Sequence, residues 1–204
     1  MAAEPIVVYI LKISTVILNK EALLSKLSQQ DLSRFNRYLC EEDKLRFLGG
    51  RALIYRHVGT PIEFEEKGKP FVRGAQNFSI SHSGDYIAIA LDKVSPVGVD
   101  IEGRREVSDL LIERVCSKQE INLIHAGNPD LFFEIWTKKE ALTKCTGTGI
   151  TVPLNEINVA KNSEIEYTGR LFYISHTLFD GHHLSVCATR NFGEMLIQQE
   201  TQIV

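Results

Sequence analysis

Helix-like spacing of apolar residues is followed by strand-like alternation twice along the chain, and this repeated order constrains the fold more than any other feature. Apolar residues at three-to-four spacing fill the segment 19–59, with interruptions near Cys40 and Gly49–Gly50 that predict two or three helices. Strand-like alternation follows from 61 to 102. The second half has the same order, because helical spacing ends near Lys144 and alternation then returns. Two similar α+β lobes are the predicted fold class.

A short motif also recurs at matching places in the two halves. The segments "FSISHSGDYIAIAL" (78–91) and "FYISHTLFDGHHLSVCA" (172–188) share Phe-x-Ile-Ser-His, then a turn and an apolar strand. This favours a weak internal duplication with a pseudo-twofold arrangement, although the composition of ordinary hairpins would also explain it. We expect one lobe over 1–102 and the other over 103–204. Further strands are expected at the N-terminal apolar run, at 156–160, at 165–175 and at 182–190.

Composition excludes several classes of protein. The net charge of −3 and the pI near 6.1 argue against binding of bulk nucleic acid. Four cysteines without a CxxC pair suggest neither a zinc site nor a disulfide framework, and they fit a reducing compartment. The opening "MAAEPIVVYILKIS" lacks the basic segment of a signal peptide and is too short to span a bilayer. We therefore expect a cytoplasmic protein without a membrane partner.

The strand "VGVDIE" (97–102) carries the first candidate metal ligands. Asp100 and Glu102 have period-two spacing, so they project from one face of the strand. Two carboxylates on one face repel each other unless a cation lies between them. Oxygen ligands of this kind suit Mg²⁺, which takes one or two carboxylates together with phosphate and water. A solvated edge strand with two surface acids is the alternative.

The segment "FFEIWTKKEALTKCTG" (132–147) contains the only tryptophan of the chain. Trp136, Glu140 and Lys144 lie four residues apart, so a helix aligns them along one side. Glu140 is then a possible third carboxylate, and Lys144 a possible phosphate partner one turn later. An ordinary amphipathic helix with a Glu–Lys surface pair is the alternative.

Two glycine-containing turns add possible phosphate donors. "ISHSG" places Ser81 and His82 beside a turn, where a hydroxyl and an imidazole can reach a phosphate. "KGKP" contributes Lys69. Taken alone, His82 is as compatible with a structural histidine and Lys69 with an exposed turn lysine.

Five motifs occur in an order that is far more specific than any one of them. They are "GKP" (68–70), "FSISHSG" (78–84), "VGVDIE" (97–102), "SKQE" (117–120) and "FEIWTKKEALTK" (133–144). In this order they resemble the motifs of the Sfp-type 4′-phosphopantetheinyl transferases, and the resemblance runs from about Arg34 to the C-terminal "VCAT". The chain length fits the two-lobed, pseudodimeric branch of that family, which implies a monomer with the 4′-phosphopantetheinyl transferase fold.

The resemblance implies an enzyme that moves the phosphopantetheine arm of coenzyme A to a serine of an apo carrier protein and releases adenosine 3′,5′-bisphosphate. By that similarity Asp100, Glu102 and Glu140 would bind Mg²⁺ on the pyrophosphate. Glu140, or a metal-bound water that it orients, would be the base, and Lys144 would neutralise the leaving phosphate. Lys139 would assist at the phosphates. The family also has a supporting acid where Glu120 stands.

The same resemblance places the 3′-phosphate of coenzyme A on basic residues of the first lobe and on His82. Arg34 and Arg46 match two of the basic positions, whereas Asp31 stands where many relatives carry a lysine. Because Arg34 and Arg37 are three residues apart and would share a helix face, we expect Arg37 to take over this contact. A looser hold on the 3′-phosphate is the alternative.

Two other functions remain compatible with these residues. One is a non-catalytic module that binds coenzyme A or a carrier protein, and the other is a Mg²⁺-dependent phosphohydrolase acting on nucleotides. The sequence does not indicate which carrier protein is served. The family docks its carriers on the segment that matches 103–118, whose apolar residues are either docking surface or helix core.

Overall fold

The computed structural model describes residues 3–149, 152–160 and 163–203, which form two sheets, a small hairpin and helices. The strands are β1 (Ile6–Lys12), β2 (Glu63–Phe64), β3 (Pro70–Phe71), β4 (Asn77–Ser83), β5 (Tyr86–Asp92), β6 (Val97–Glu102), β7 (Glu164–Tyr167), β8 (Arg170–Phe179), β9 (His182–Ala188) and β10 (Met195–Glu200). The helices are α1 (Ile13–Leu18), α2 (Lys20–Lys26), α3 (Gln29–Phe35), α4 (Glu41–His57), α5 (Asp109–Val115), α6 (Lys118–His125) and α7 (Leu131–Thr146). A 3-10 turn spans Leu154–Glu156.

The strands form two four-stranded sheets that pack against each other. The first sheet has the order β10-β1-β5-β4, and the second has the order β6-β9-β8-β7. Apolar side chains of the two sheets share one buried cluster, while further clusters lie under α4 on the first sheet and under α7 on the second. The predicted α+β architecture of two similar lobes is confirmed.

The two lobes repeat one topology. In each lobe a strand is followed by helices and a hairpin, and the hairpin pairs beside that strand in the order β1-β5-β4 or β6-β9-β8. The two Phe-x-Ile-Ser-His segments form β4 and β8, the strands at corresponding places in the two lobes. The recurrence of the motif therefore coincides with the recurrence of the fold.

Each sheet contains strands from both sides of the lobe boundary that was expected between residues 102 and 103. Strand β6 pairs with β9 in the second sheet, and β10 returns to the first sheet, where it pairs in parallel with β1. Parallel pairing requires a long connection, and here nearly all of the chain lies between the two strands. The first sheet therefore contains a strand from the C-terminal end of the chain.

Three secondary-structure predictions are wrong for identifiable reasons. The single strand expected at 165–175 is two strands, β7 and β8, which pair through a turn at Thr168–Gly169, where both residues have positive φ. The expected strand at 156–160 begins with the 3-10 turn, and the Val159 N–H donates to Glu120 Oε1 at 2.8 Å instead of to another strand. The glycine pair does not interrupt α4, which continues through it. A side chain at Gly49 would collide with Ile87 of β5, so these glycines allow close packing of α4 on the first sheet.

Helix α7 packs against β6 at close range. A Cβ atom at Gly98 would collide with the Ala141 carbonyl oxygen, so only glycine permits this approach. The helix ends at Gly147, whose φ of 69° is the left-handed conformation common after a helix. Most side chains of α7 are buried, including polar ones. In the described ranges, every helix is too short or too polar to cross a bilayer.

Candidate active site

Three carboxylates meet where β6 passes under α7. Asp100 and Glu102 project from one face of β6, and Glu140 projects from α7. Asp100 is 4% exposed and Glu140 is 7% exposed. Burial raises the pKa of Glu140 to about 7, and the charges of Asp100 and Glu102 add to the effect while Lys144 opposes it. The three predicted acids therefore lie close enough to interact.

Two oxygens of these acids are buried without a hydrogen-bond donor. Within the part of the chain that the structure describes, neither Asp100 Oδ2 nor Glu140 Oε1 has a hydrogen-bond partner. A buried carboxylate oxygen without a donor costs free energy unless a cation or another donor meets it. The arrangement thus fits a cation between the two acids.

Mg²⁺ is the cation whose requirements these residues match. The donors are carboxylate oxygens, and Mg²⁺ is held by one or two carboxylates with substrate phosphates and waters in the remaining positions. Among the described residues, no group of three or more His, Cys, Asp or Glu side chains is close enough to hold a metal ion by itself. An incomplete set of this kind suits a metal that shares its ligands with a phosphorylated substrate.

Lys144 lies beside Asp100. Its ammonium group donates to Asp100 Oδ1 at 2.7 Å and to Ser81 Oγ at 2.9 Å, and among the described residues it has no third acceptor. The Ser81 hydroxyl donates its proton to the same Asp100 oxygen at 2.7 Å. Ser81, which we expected to donate to a phosphate, therefore uses its proton to hold a carboxylate.

Glu102 has two hydrogen-bonding neighbours that the sequence analysis did not assign. The Ser83 hydroxyl donates to Glu102 Oε2 at 2.8 Å, and the Trp136 indole is a second neighbour. Burial raises the pKa of Glu102, and both hydrogen bonds oppose this increase. The sequence could have indicated Trp136 as a neighbour of the acids, because Trp136, Glu140 and Lys144 lie four residues apart. The period-two spacing of Ser81 and Ser83 was the signal for Ser83.

Positive groups extend from Lys144 toward the first lobe. Desolvation lowers the pKa of His82, and the nearby charges of Lys144 and Arg46 lower it further. Arg46 donates to the Gly84 carbonyl and to the carboxylates of Asp43 and Glu42 on its own helix. A bound anion would favour the protonated form of His82 and so oppose this lowering of its pKa. The contact of Arg46 and His82 with the 3′-phosphate stays a prediction.

Arg34 and Arg37 line a separate groove. This groove of about 620 Å³ is bordered by Gln30, Ser33, Arg34, Arg37, Tyr38 and Phe64. Helix α3 ends at Phe35, so the expected common helix face is wrong, and Arg37 lies in the following turn. The two arginines nevertheless share the groove. Their contact with coenzyme A stays a prediction.

Asp31 has a structural role. It is 7% exposed, and its carboxylate accepts from Arg51 Nε at 2.6 Å and from the Tyr55 hydroxyl at 2.6 Å. The acid is therefore neutralised inside the first lobe and does not present a free negative charge to a ligand. This pairing explains how an acid is accommodated at a position where a basic residue was expected.

Lys69 joins the β2–β3 hairpin to the end of α7. Its ammonium group donates to the carbonyl of Lys144 at 2.8 Å and to that of Val97 at 3.4 Å. Burial lowers its pKa. Lys69 also borders a cavity of about 490 Å³ between the hairpin and the start of β6. Its contact with coenzyme A stays a prediction.

Lys139 does not lie at the phosphates, and this expectation is corrected. Its side chain is fully buried on the opposite side of α7, where it donates to Glu120 Oε2 at 2.5 Å and to the carbonyls of Val115 at 2.8 Å and Leu154 at 2.9 Å. These three acceptors use all three N–H donors of an ammonium group. Glu120 also closes a capping box with Ser117 at the start of α6. The Lys139–Glu120 pair therefore fixes α6 against α7.

Comparisons with known proteins agree with this site. Residues 96–188, which contain β6, α7 and the second hairpin, match the model of the 4′-phosphopantetheinyl transferase superfamily. The chain is 30% identical over 189 residues to 4′-phosphopantetheinyl transferase gsp of Aneurinibacillus migulanus, covering 81% of this chain and 78% of the relative. It is 27% identical over 190 residues to 4′-phosphopantetheinyl transferase Sfp of Bacillus subtilis strain 168, covering 82% and 84%.

A third relative is 4′-phosphopantetheinyl transferase HetI of a Nostoc strain, which is 33% identical over 159 residues, covering 68% of this chain and 66% of the relative. The alignment with gsp covers 81% of this chain and 78% of gsp at 30% identity. Together with the match of β6 and α7 to the superfamily model, this similarity establishes that the chain belongs to the 4′-phosphopantetheinyl transferase superfamily.

Proposed function

We infer that this protein is an enzyme that transfers the 4′-phosphopantetheine arm of coenzyme A to a serine of an apo carrier protein. In this reaction the serine oxygen bonds to the β-phosphorus of the pyrophosphate, and the bond from that phosphorus to the bridging oxygen breaks. Adenosine 3′,5′-bisphosphate leaves, and a base takes the serine proton. The meeting of Asp100, Glu102, Glu140 and Lys144 at one point carries this conclusion.

We propose that Mg²⁺ is held by Asp100, Glu102 and Glu140 together with the pyrophosphate of coenzyme A. Support comes from the unpartnered Asp100 Oδ2 and Glu140 Oε1 among the described residues, and from the Glu140 pKa, which is raised to about 7 by burial and by the neighbouring acids. When bound, Mg²⁺ supplies positive charge to the transferring phosphoryl group.

Glu140 and Lys144 have complementary roles in the proposed reaction. Glu140, directly or through a water that it orients, would accept the serine proton. Lys144 has three N–H groups and two acceptors among the described residues, Asp100 and Ser81, so one N–H would donate to an oxygen of the departing phosphate. We propose that His82 and Arg46 receive the anionic nucleotide end, since the charges of Arg46 and Lys144 both act on His82.

The test is to incubate the protein with an apo carrier protein, coenzyme A and Mg²⁺ and to weigh the carrier by mass spectrometry. The expected result is a gain of one phosphopantetheine arm that depends on Mg²⁺ and on the carrier serine. Binding of coenzyme A without any gain in the mass of the carrier would indicate a non-catalytic binding module instead of a transferase. Cleavage of coenzyme A without a carrier would indicate a phosphohydrolase.

A further inference from the structure

The two sheets meet at their edges through serine side chains. Strand β4 is the last strand of the first sheet, and β6 is the first strand of the second, so the two strands do not share a sheet. Serine hydroxyl oxygens at alternate positions of β4 instead accept backbone N–H groups at alternate positions of β6 and at the residue that follows it: Ser79 from Val99 at 3.1 Å, Ser81 from Ile101 at 3.4 Å and Ser83 from Gly103 at 3.0 Å. We call these three side chains the serine ladder.

Two members of the serine ladder also hold the candidate metal ligands. Ser81 Oγ donates to Asp100 Oδ1 at 2.7 Å, and Ser83 Oγ donates to Glu102 Oε2 at 2.8 Å. A hydroxyl group has one proton, so each serine is committed to one carboxylate oxygen. Ser79 lies opposite Gly98 and Val99, where β6 carries no carboxylate. The ladder thus contains two members that contact acids and one that joins backbone only.

A hydrogen bond to one oxygen fixes the rotation of a carboxylate group. Asp100 Oδ1 is held by Ser81 and Lys144, while its buried Oδ2 has no partner among the described residues. The engaged oxygen therefore determines where the free oxygen points. Polar groups that orient metal ligands in this way commonly contribute 10- to 100-fold to metal affinity or activity, as an order of magnitude.

We propose that Ser83 is a positioning residue for Mg²⁺, acting through Glu102, and that it couples the metal site to the junction between the lobes. This inference rests on the proposed function. Ser83 accepts from the Gly103 backbone and donates to Glu102, so the same hydroxyl that joins β4 to the end of β6 also sets the orientation of the ligand. The Ser-x-Ser spacing of β4 matches the Asp-x-Glu spacing of β6 because both strands have period two.

The experiment compares Ser83→Ala with Ser79→Ala, which removes the ladder member that touches no acid. Calorimetry measures Mg²⁺ affinity in the presence of coenzyme A, kinetics give kcat and the Mg²⁺ concentration for half-maximal transfer, and thermal unfolding reports stability. Ser83→Ala is expected to weaken Mg²⁺ binding about 10- to 100-fold. Ser79→Ala is expected to lower only the unfolding temperature. Ser83→Thr, which keeps the hydroxyl, is expected to recover most of the Mg²⁺ affinity.

Each outcome bears on the proposal. If Ser83→Ala binds Mg²⁺ as tightly as Ser79→Ala, the serine ladder only joins the lobes and the proposal is overturned, while the proposed transferase function stands. If the wild-type protein neither transfers the arm nor binds Mg²⁺, the proposed function fails, and this inference fails with it. If Ser83→Ala does not fold, Ser83→Cys takes its place under the same criteria, because a thiol of similar size is a weak donor.

Discussion

At the scale of single residues, burial and neighbouring acids make the carboxyl group of Glu140 difficult to ionise. Its pKa is raised from the ordinary value of 4.5 to about 7, first by burial and then by Asp100. A raised pKa stabilises the folded state only while the group is protonated. In metal-free protein this contribution, on the order of 3 kcal/mol, is therefore lost as the pH rises from about 4.5 through about 7.

Chemical denaturation of metal-free protein across this pH range measures the effect. Glu140→Gln binds no proton at this site, so we expect its free energy of unfolding to lack that loss. Glu113→Gln, at an exposed position of α5, is the control and is expected to show the same loss as the wild type. The assignment would be wrong if Glu140→Gln lost as much stability with rising pH as the wild type does.

Lys139 and Glu120 form a fully buried ion pair that we expect to stabilise the fold without contacting the substrate. Lys139→Met leaves the carboxylate of Glu120 buried without its counter-ion, and breaking such a pair costs about 3–5 kcal/mol. Denaturation measures this loss. Steady-state kinetics on the folded variant should give an unchanged KM for coenzyme A.

The double variant Lys139→Met/Glu120→Gln is the control for this prediction. Neutralising both partners removes the uncompensated charge, so part of the lost stability should return. Full stability in Lys139→Met combined with a higher KM for coenzyme A would contradict the structural role and place Lys139 at the phosphates.

At the scale of elements, the site depends on how closely β6 and α7 approach. A methyl group at Gly98 would meet the α7 backbone at Ala141 and Cys145, and backbone cannot rotate away as a side chain can. We expect Gly98→Ala to cost about 1–3 kcal/mol or more and to impair transfer, because the helix must move away from the strand that carries Asp100. Denaturation and a transfer assay together measure both effects.

Gly50→Ala is the control, since it adds the same methyl group at another contact between a helix and a sheet, here on the helix α4. Its Cβ atom would lie 3.1 Å from the end of the flexible Ile80 side chain. We expect a small change in stability and normal transfer. Equal losses in Gly50→Ala and Gly98→Ala would show that close packing of β6 on α7 has no special effect on the site.

The elements of the site were predictable because local spacing determines them. Period two placed Asp100 and Glu102 on one face, and the four-residue spacing placed Glu140 and Lys144 on one side of a helix. The hydrogen-bond partners of the polar side chains were not predictable in the same way. Ser81 donates to a carboxylate, and Lys139 lies on the side of α7 away from the acids, since each partner comes from a distant part of the chain.

At the scale of the whole molecule, the duplication was predictable but the sharing of strands was not. Both Phe-x-Ile-Ser-His hairpins occupy equivalent positions, as their common pattern indicated. Strand β10 pairs with β1 across nearly the whole chain, and no local pattern specifies such a partner. The lobes are thus joined by β10 in the first sheet and by the serine ladder between the sheets, in addition to the apolar cluster that both sheets share.

The central claim is that the acids at this junction hold the Mg²⁺ that supports transfer, and Asp100→Asn tests it most directly. Asparagine keeps the size of the side chain and an oxygen for the Ser81 hydroxyl, but it lacks the negative charge. The measurement is kcat for transfer of the phosphopantetheine arm to an apo carrier at saturating Mg²⁺. The account predicts a decrease of about 100-fold or more, with a thermal unfolding temperature no lower than that of the wild type. A kcat close to the wild-type value would contradict it.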